Sequence, residues 1–412
     1  MAHAVVVGAG VVGINVALAL RRRGLAVTVL DPRAPGSATS FGNAGCIAVA
    51  EITPVSMPGL IWRVPGMLLD PLGPLAISPR YLPRLLPWLW RFWRAGTRAR
   101  VEAATAALGA LVGRAWTDWD GVIAESGIGD LVVRNGALFV YESARGWRAA
   151  AEEWALRRRH GVRADAIEAP EIRQLEPALA PRFTHGCFVP DWGHVIDPHR
   201  VVVRLADHLR ARGGAIHQAA VGDIVFADGK PSAVRLADGT VLAFDQLVLC
   251  AGAWSRALAA RLGHAVPLDT ERGYNTTLPH PGVRLTRPVC PAEGNFMITP
   301  MAIGLRIGGA VELAGLEAPP NFARSKALLA LGRRALPDLD TAGGSEWMGF
   351  RPSMPDSLPV IGLAPRHGHV AFAFGHGHLG LTEAATTGRL VADLLTGAPP
   401  PIDLAPFRVD RF

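Results

Sequence analysis

One segment near the start of the chain limits its fold more than any other. Ala4–Gly8 is a short apolar run of strand character, and Gly10–Arg23 continues as a helical pattern with Val12, Val16 and Leu20 on one face. The junction reads Gly8-Ala9-Gly10-Val11-Val12-Gly13. In such a turn the first glycine allows the tight bend, the second lets the backbone approach a pyrophosphate, and the third lets the helix lie close to the strand. The helix start then offers free N–H groups and a positive dipole end to phosphate. Gly24 stops the helix and Ala26–Asp31 forms a second strand. Asp31, followed by Pro32, stands eighteen residues after Gly13, where a carboxylate can accept from a ribose hydroxyl. A βαβ dinucleotide-binding unit is expected. The motif alone does not choose between NAD and FAD.

A chain of 412 residues is too long for one core, so two domains are expected. Half of the residues are apolar, which excludes a disordered chain. Arg, Pro and Gly interrupt every apolar stretch before it reaches the length of a spanning helix. The apolar run begins almost at Met1 and leaves no room for a signal peptide, so a cytoplasmic protein is expected. Cys46, Cys187, Cys250 and Cys290 lie far apart with no metal-binding spacing; reduced thiols and no metal site are expected. Net charge is +7, which raises nucleic acid as a partner. Yet only Lys230 and Lys326 are lysines, and the arginines are spread along the chain, so no nucleic-acid partner is expected.

Further along, Leu131–Glu142 reads as a hairpin turning at Asn135-Gly136. Trp147–Gly161 and Pro198–Gly213 read as helices. Short strands follow, among them Ile216–Val221, Asp223–Phe226, Ala233–Leu236 and Val241–Phe244, then the fully apolar Leu247–Ala251. His264–Leu313 is strand-rich, Ser325–Leu336 helical, and Gly375–Thr396 opens on glycines and continues as a helix. Mixed βα units at both ends and a strand-rich middle predict one domain assembled from separated segments with a second inserted between them.

Four further segments carry chemistry. They are Ser40-Phe41-Gly42-Asn43-Ala44-Gly45, LVLCAGAWS at 247–255, GFRPSMPDSLPVIG at 349–362, and GHGHLGLT at 375–382. Together with the N-terminal fingerprint they resemble the FAD-dependent D-amino-acid oxidase-like family, and within it the bacterial D-amino-acid dehydrogenases and D-hydroxyproline dehydrogenases.

The resemblance implies a mixed α/β and α+β architecture. A Rossmann-like, glutathione-reductase-like FAD-binding domain would come from 1–75, 145–165, 194–262 and 343–412. An interleaved substrate domain on a mostly antiparallel sheet would come from 76–144, 166–193 and 263–342. The Ser40–Gly45 loop would wrap the flavin and ribityl chain, Val221 would meet adenine, and Ala251, Gly252 and Trp254 would approach the dinucleotide. His376, Gly377, Gly380, Leu381 and Thr382 would face the flavin pyrimidine, where a helix start stabilises the negative charge of a reduced flavin. With no cysteine in 349–356, FAD is expected to be non-covalent.

Arg351 is the residue the resemblance assigns to the substrate carboxylate, which a planar guanidinium matches with two parallel hydrogen bonds. Arg272 and Tyr274 fall where relatives place a second carboxylate contact and a pocket wall. His378 flanks the flavin-facing turn. Met297 stands where one branch has a substrate-binding tyrosine, which implies an apolar wall.

The chemistry implied is oxidative deamination of a D-amino acid. Hydride passes from Cα to flavin N5, and water hydrolyses the imine to a keto acid. Electrons would go to a non-oxygen acceptor such as a quinone. Alternatives are a cyclic imino acid such as cis-4-hydroxy-D-proline, a glycine or sarcosine oxidase, a flavin subunit inactive alone, and a nucleic-acid-modifying flavoprotein.

Residues 80–100 set Trp88, Trp90 and Trp93 among six arginines. That mix suits an interfacial helix on an anionic membrane, hence a peripheral protein on the inner face. The alternative is a helix that packs its tryptophans inside.

Overall fold

The computed structural model describes residues 1–70 and 73–412. A six-stranded sheet runs Ala215–Gln218, Ala26–Asp31, His3–Val7, Gln246–Leu249, His367–Phe374, Val360–Ala364. Its first five strands are parallel and the last is antiparallel. The all-apolar runs at 4–7 and 247–249 follow from burial on both faces. Ala4 and Val6 meet the helices Val11–Arg22, Pro198–Ala211 and Gly380–Leu395 on one side. Val5 and Val7 alternate to the other side, against Ile224 and Val234 of a small antiparallel sheet spanning 221–243.

The second large sheet is mostly antiparallel, in the order Ser345–Ser353, Asp269–Leu278, Gly304–Leu313, Phe296–Met301, Val289–Pro291, Ala137–Tyr141, His185–Val189, Asp165–Glu168. Leu75–Ile77 adds a parallel strand beside Val311–Leu313. Leu138 and Val140 face the core beneath the helix Ala323–Ala335, whereas Phe139 and Tyr141 turn to the opposite side, towards Trp154 and Trp192.

Three expectations change. Leu131–Glu142 is not a hairpin. Gly136 does take the left-handed turn (φ +80°), but Val132–Val133 pairs with Gly193–Val195 in a separate small sheet, while Ala137–Tyr141 pairs with His185–Val189. The turn therefore carries the chain from one sheet to the next, because both of its arms find their partners some fifty residues away. Val221 does not end a strand from Ile216; that strand stops at Gln218, and Val221 opens the next one. Ser345–Ser353, grouped by the sequence with the dinucleotide-binding segments, pairs along Asp269–Thr277 as the edge of the second sheet.

The helices Val11–Arg22 and Gly380–Leu395 cross at Gly388, where an added Cβ would fall 2.7 Å from the Asn15 carbonyl oxygen. The contact is backbone against backbone, so neither helix can swing a side chain aside. Gly388→Ala is expected to cost about 1–3 kcal/mol, the usual range for an overpacked core. Thermal unfolding reads this as a lowered midpoint, and an unchanged midpoint would show that the two helices part freely.

Candidate active site

Backbone closes in on the glycine turn at two of its three glycines. Gly8 has φ +114°, and a Cβ there would run into the Cys250 carbonyl oxygen; one at Gly13 would run into the Gly8 carbonyl oxygen. Only glycine satisfies both. Asp31 braces this turn: one carboxylate oxygen accepts from the Ala9 N–H at 2.8 Å and the other from the Arg33 N–H at 2.8 Å. Ser40 Oγ accepts from the Val11 N–H at 3.0 Å, which fixes the following loop against the helix start.

That loop is held from beneath by the second sheet. Asn275 Nδ2 donates to the Gly42 carbonyl at 2.6 Å, Arg306 Nη1 to the Asn43 carbonyl at 2.7 Å, and Thr39 Oγ1 to the Phe350 carbonyl at 2.9 Å. Asn43 folds the loop on itself, its amide donating to the Ser40 carbonyl and its side-chain oxygen accepting from the Gly45 N–H. Burial pushes the Arg306 guanidinium down to about 10, the cost of using a charged donor to hold a buried carbonyl.

At the far side, the helix Gly380–Leu395 begins with no side-chain cap. Thr382 turns away from the opening; its hydroxyl accepts from the Ala48 N–H at 2.9 Å and anchors the helix start. His376 is buried, with Nε2 3.0 Å from Thr387 Oγ1, and burial pushes its imidazole down to about 3, so it stays neutral.

Between these elements lies a cavity of about 1410 Å³. Gly8, Gly10, Val11, Val12, Asp31 and Pro32 line one end, with Val221, Ala251, Gly252 and Trp254 beside them. Ser40, Gly42, Asn43, Ala44 and Gly45 form its middle wall; His376, Gly377, His378, Gly380 and Leu381 reach it from the C-terminal helix start. Arg351, Tyr274 and Met297 face it from the second sheet.

Other expected residues do not reach the cavity. Ala9 and Gly13 are packed within the turn, and the Phe41 ring lies against His199 with centroids 4.9 Å apart. Arg272 is fully buried elsewhere. Its Nε donates to the Gly315 carbonyl at 2.7 Å and its Nη1 to the Pro319 carbonyl at 3.1 Å, with Glu312 at 3.7 Å, so it tethers the loop after Leu313 and offers no carboxylate contact. Tyr274 lines the wall, but its hydroxyl is committed to Glu312 and to the Asn321 N–H.

Arg351 lies across the strand Asp269–Leu278 at Gly273, where a Cβ would collide with the guanidinium. Its Nη1 donates to the Ala310 carbonyl at 2.9 Å and its Nη2 to the Gly309 carbonyl at 3.4 Å. Ala310 has φ +56°, a conformation costing an alanine about 1 kcal/mol or more, at the point where its carbonyl turns to this arginine. The partners are dipoles rather than a carboxylate, so the charge stays available to a ligand. Burial lowers its pKa, and Glu271 works against that shift.

Several lining residues carry no sequence signal. The Trp347 indole lies against Gly42, and Glu51, Glu153 and Arg157 form an ionic group at the end near Tyr141. Glu153 and Arg157 form an i,i+4 pair on the helix Ala144–Arg159, but Glu51 and Trp347 come from distant segments.

The cavity fits FAD on its own terms. It joins two helix starts, it is large enough for a dinucleotide with a tricyclic ring, and glycines line it at both of those starts.

The comparisons with known proteins agree. Residues 3–394 match the family described as FAD dependent oxidoreductase (DAO). A D-amino-acid oxidase of Bradyrhizobium diazoefficiens is 40% identical over 417 residues, covering 100% of this chain and 99% of that protein. A D-amino acid dehydrogenase of Paramagnetospirillum magneticum is 34% identical, covering 99% and 98%. Among solved structures, glycine oxidase from Geobacillus kaustophilus superposes with a TM-score of 0.73 at 21% identity over the full length of both chains, which speaks for the fold. With the cavity, the glycine turn and the full-length match in agreement, the chain belongs to the DAO family of FAD dependent oxidoreductases.

Proposed function

We propose that this protein oxidatively deaminates D-amino acids, with the substrate carboxylate on Arg351. The observation that carries the reading is the Arg351 guanidinium itself, fixed by the carbonyls of Gly309 and Ala310 and open to the cavity that holds the flavin. FAD, when bound, accepts the hydride from the amine carbon. The chain's own share is binding and orientation. Gly8–Gly13 and the helix after them would hold the pyrophosphate, Asp31 the ribose, and the Ser40–Gly45 loop the ribityl and ring. The start of the helix Gly380–Leu395 would offer its positive dipole end to the negative charge of the reduced flavin. Met297 and Tyr274 close the pocket around the substrate with apolar surface.

The electron acceptor is read from a second arm of the cavity. Val64, Met67, Leu89 and Phe92 line it, from the helices Leu60–Leu69 and Leu82–Ala95. Trp62 is 87% exposed, Leu69 83% and Trp90 57%, whereas the half-exposed Trp93 also lines the cavity. Trp88 is the buried one of the three tryptophans of the second helix and donates to the Ser353 carbonyl. Arg84, Arg91 and Arg94 are exposed on the same helix. Among the described residues no helix is long and apolar enough to cross a membrane. The combination favours a lipid surface as the docking partner and an apolar quinone as the acceptor, entering by the apolar arm.

Two experiments test these readings. Arg351→Lys keeps the charge but loses the fork, which removes about 1.5–3 kcal/mol of charge-assisted hydrogen bonding. A roughly 10- to 100-fold drop in kcat/KM for D-amino acids is expected, with the flavin spectrum retained. Unaltered kinetics, or bleaching of the flavin by L- but not D-enantiomers under anaerobic conditions, would refute the assignment. For the surface, sedimentation with vesicles should retain the protein in proportion to anionic lipid. Trp62→Ser with Trp90→Ser should abolish that retention, and equal retention by neutral and anionic vesicles would count against it.

A further inference from the structure

The cavity lining includes an ionic group to which the readings above give no role. Arg157 on the helix Ala144–Arg159 is 6% exposed and carries the Glu51 carboxylate at 3.1 Å and the Glu153 carboxylate at 2.9 Å. Thr53 donates a further hydrogen bond to Glu153. One guanidinium therefore serves two carboxylates, and both carboxylates line the cavity. Glu271 lines it too. Burial works against the charge on Arg157, and the neighbouring carboxylates of Glu51 and Glu153 outweigh it, so one cationic group faces two acidic side chains.

This acidic end shares a chamber with Arg351. His378 projects into the cavity and stands within electrostatic reach of Glu51, Arg351, Glu271 and Arg157 together. The wall near the cluster is apolar and aromatic, formed by Met297, Phe139, Tyr141 and Trp192. Glu51 and Glu153 share one guanidinium and keep 21% and 38% of their side chains accessible, so a cationic ligand group can still pair with them. A positive group tethered to the reacting carbon by a few methylenes suits such a site, since its stem packs on apolar surface while its head pairs.

We propose that Glu51, with Glu153 behind it, binds the cationic end of the substrate side chain, so that the preferred substrates are D-amino acids ending in an ammonium or guanidinium, such as D-lysine and D-arginine. The two charged anchors would then grip both ends of the substrate: Arg351 the carboxylate and Glu51 the side-chain head. Arg157 acts as a positioning residue. It holds the two carboxylates in place by its ion pairs, and it repels any acidic side chain.

The inference rests on the amino-acid reading above, and the test separates the two. The holoenzyme is assayed with D-lysine, D-arginine, D-norleucine and D-alanine, by steady-state rates and by anaerobic flavin bleaching. D-Norleucine matches the lysine stem without its charge. For the wild-type protein kcat/KM should favour D-lysine over D-norleucine at least tenfold. In Glu51→Gln that ratio should fall at least tenfold, with Glu153→Gln producing a smaller fall. Equal use of D-lysine and D-norleucine by the wild-type protein overturns the inference and leaves the amino-acid reading standing, whether or not the variants fold. A ratio unmoved in two folded variants does the same. Turnover of none of the four substrates removes the amino-acid reading, and the side-chain subsite with it.

Discussion

The loop from Ser40 to Gly45 joins the two halves of the molecule, and the site exists because both halves grip it. From the six-stranded side, Ser40 ties it to the first N–H of the helix Val11–Arg22. From the second sheet, Asn275 and Arg306 donate to successive carbonyls of the same loop. Each of these donors is buried, and a buried donor or carbonyl left without its partner costs about 1–3 kcal/mol. The loop is therefore fixed in one arrangement. The glycine turn and the face of the second sheet are consequently held at a set spacing, and the cavity is the space left between them.

Close packing decides where side chains can enter that space. Trp347 lies over Gly42 and Gly349, and Arg351 over Gly273, in each case because the glycine has no Cβ to displace them. The arginine's position depends on the strand beneath it as well as on its own rotamer. The bulge that interrupts pairing between Arg272 and Tyr274, and the left-handed Ala310 opposite, belong to the same local distortion. A regular ladder would have kept the Ala310 carbonyl in a strand-to-strand bond, out of reach of the guanidinium.

Charge is distributed unevenly around the cavity. Arg306 is spent on structure, its proton affinity lowered by burial while it holds the Asn43 carbonyl. Arg351 is kept free of carboxylate partners. Arg157 is overcommitted, with Glu51 and Glu153 both drawing on it. The three arginines thus have three functions in one chamber, and the difference among them comes from what each finds within hydrogen-bond distance. The neutral His376 and the Cys46 thiol, pushed up to about 12 by desolvation, add no charge to this pattern.

How much of this was legible in the chain depends on the range of the interaction. The glycine turn, the helix after it, Asp31 and the glycine-opened C-terminal helix were legible because their requirements are local. Each is a matter of backbone conformation, apolar period or helix ends within about twenty residues. Most of the residues named through the family resemblance line one cavity. Local signals failed where partners lie far apart in the chain. Asn135-Gly136 is a good turn signal, but whether its arms pair with each other or with strands near residue 190 is a question of register and burial. Arg272 sits two residues from Tyr274 on the same strand and looks equally suited to a ligand, yet carbonyls from 315 and 319 claim it. Glu153 and Arg157 are a local i,i+4 pair, but Glu51 joins them from about a hundred residues away, which no spacing announces. The sequence by itself determined that a dinucleotide turn would form and where its helix would start, because those depend on neighbouring backbone. Only the tertiary structure decided which charges meet in the cavity, because a buried charge is assigned by whichever distant partner reaches it first with the right geometry.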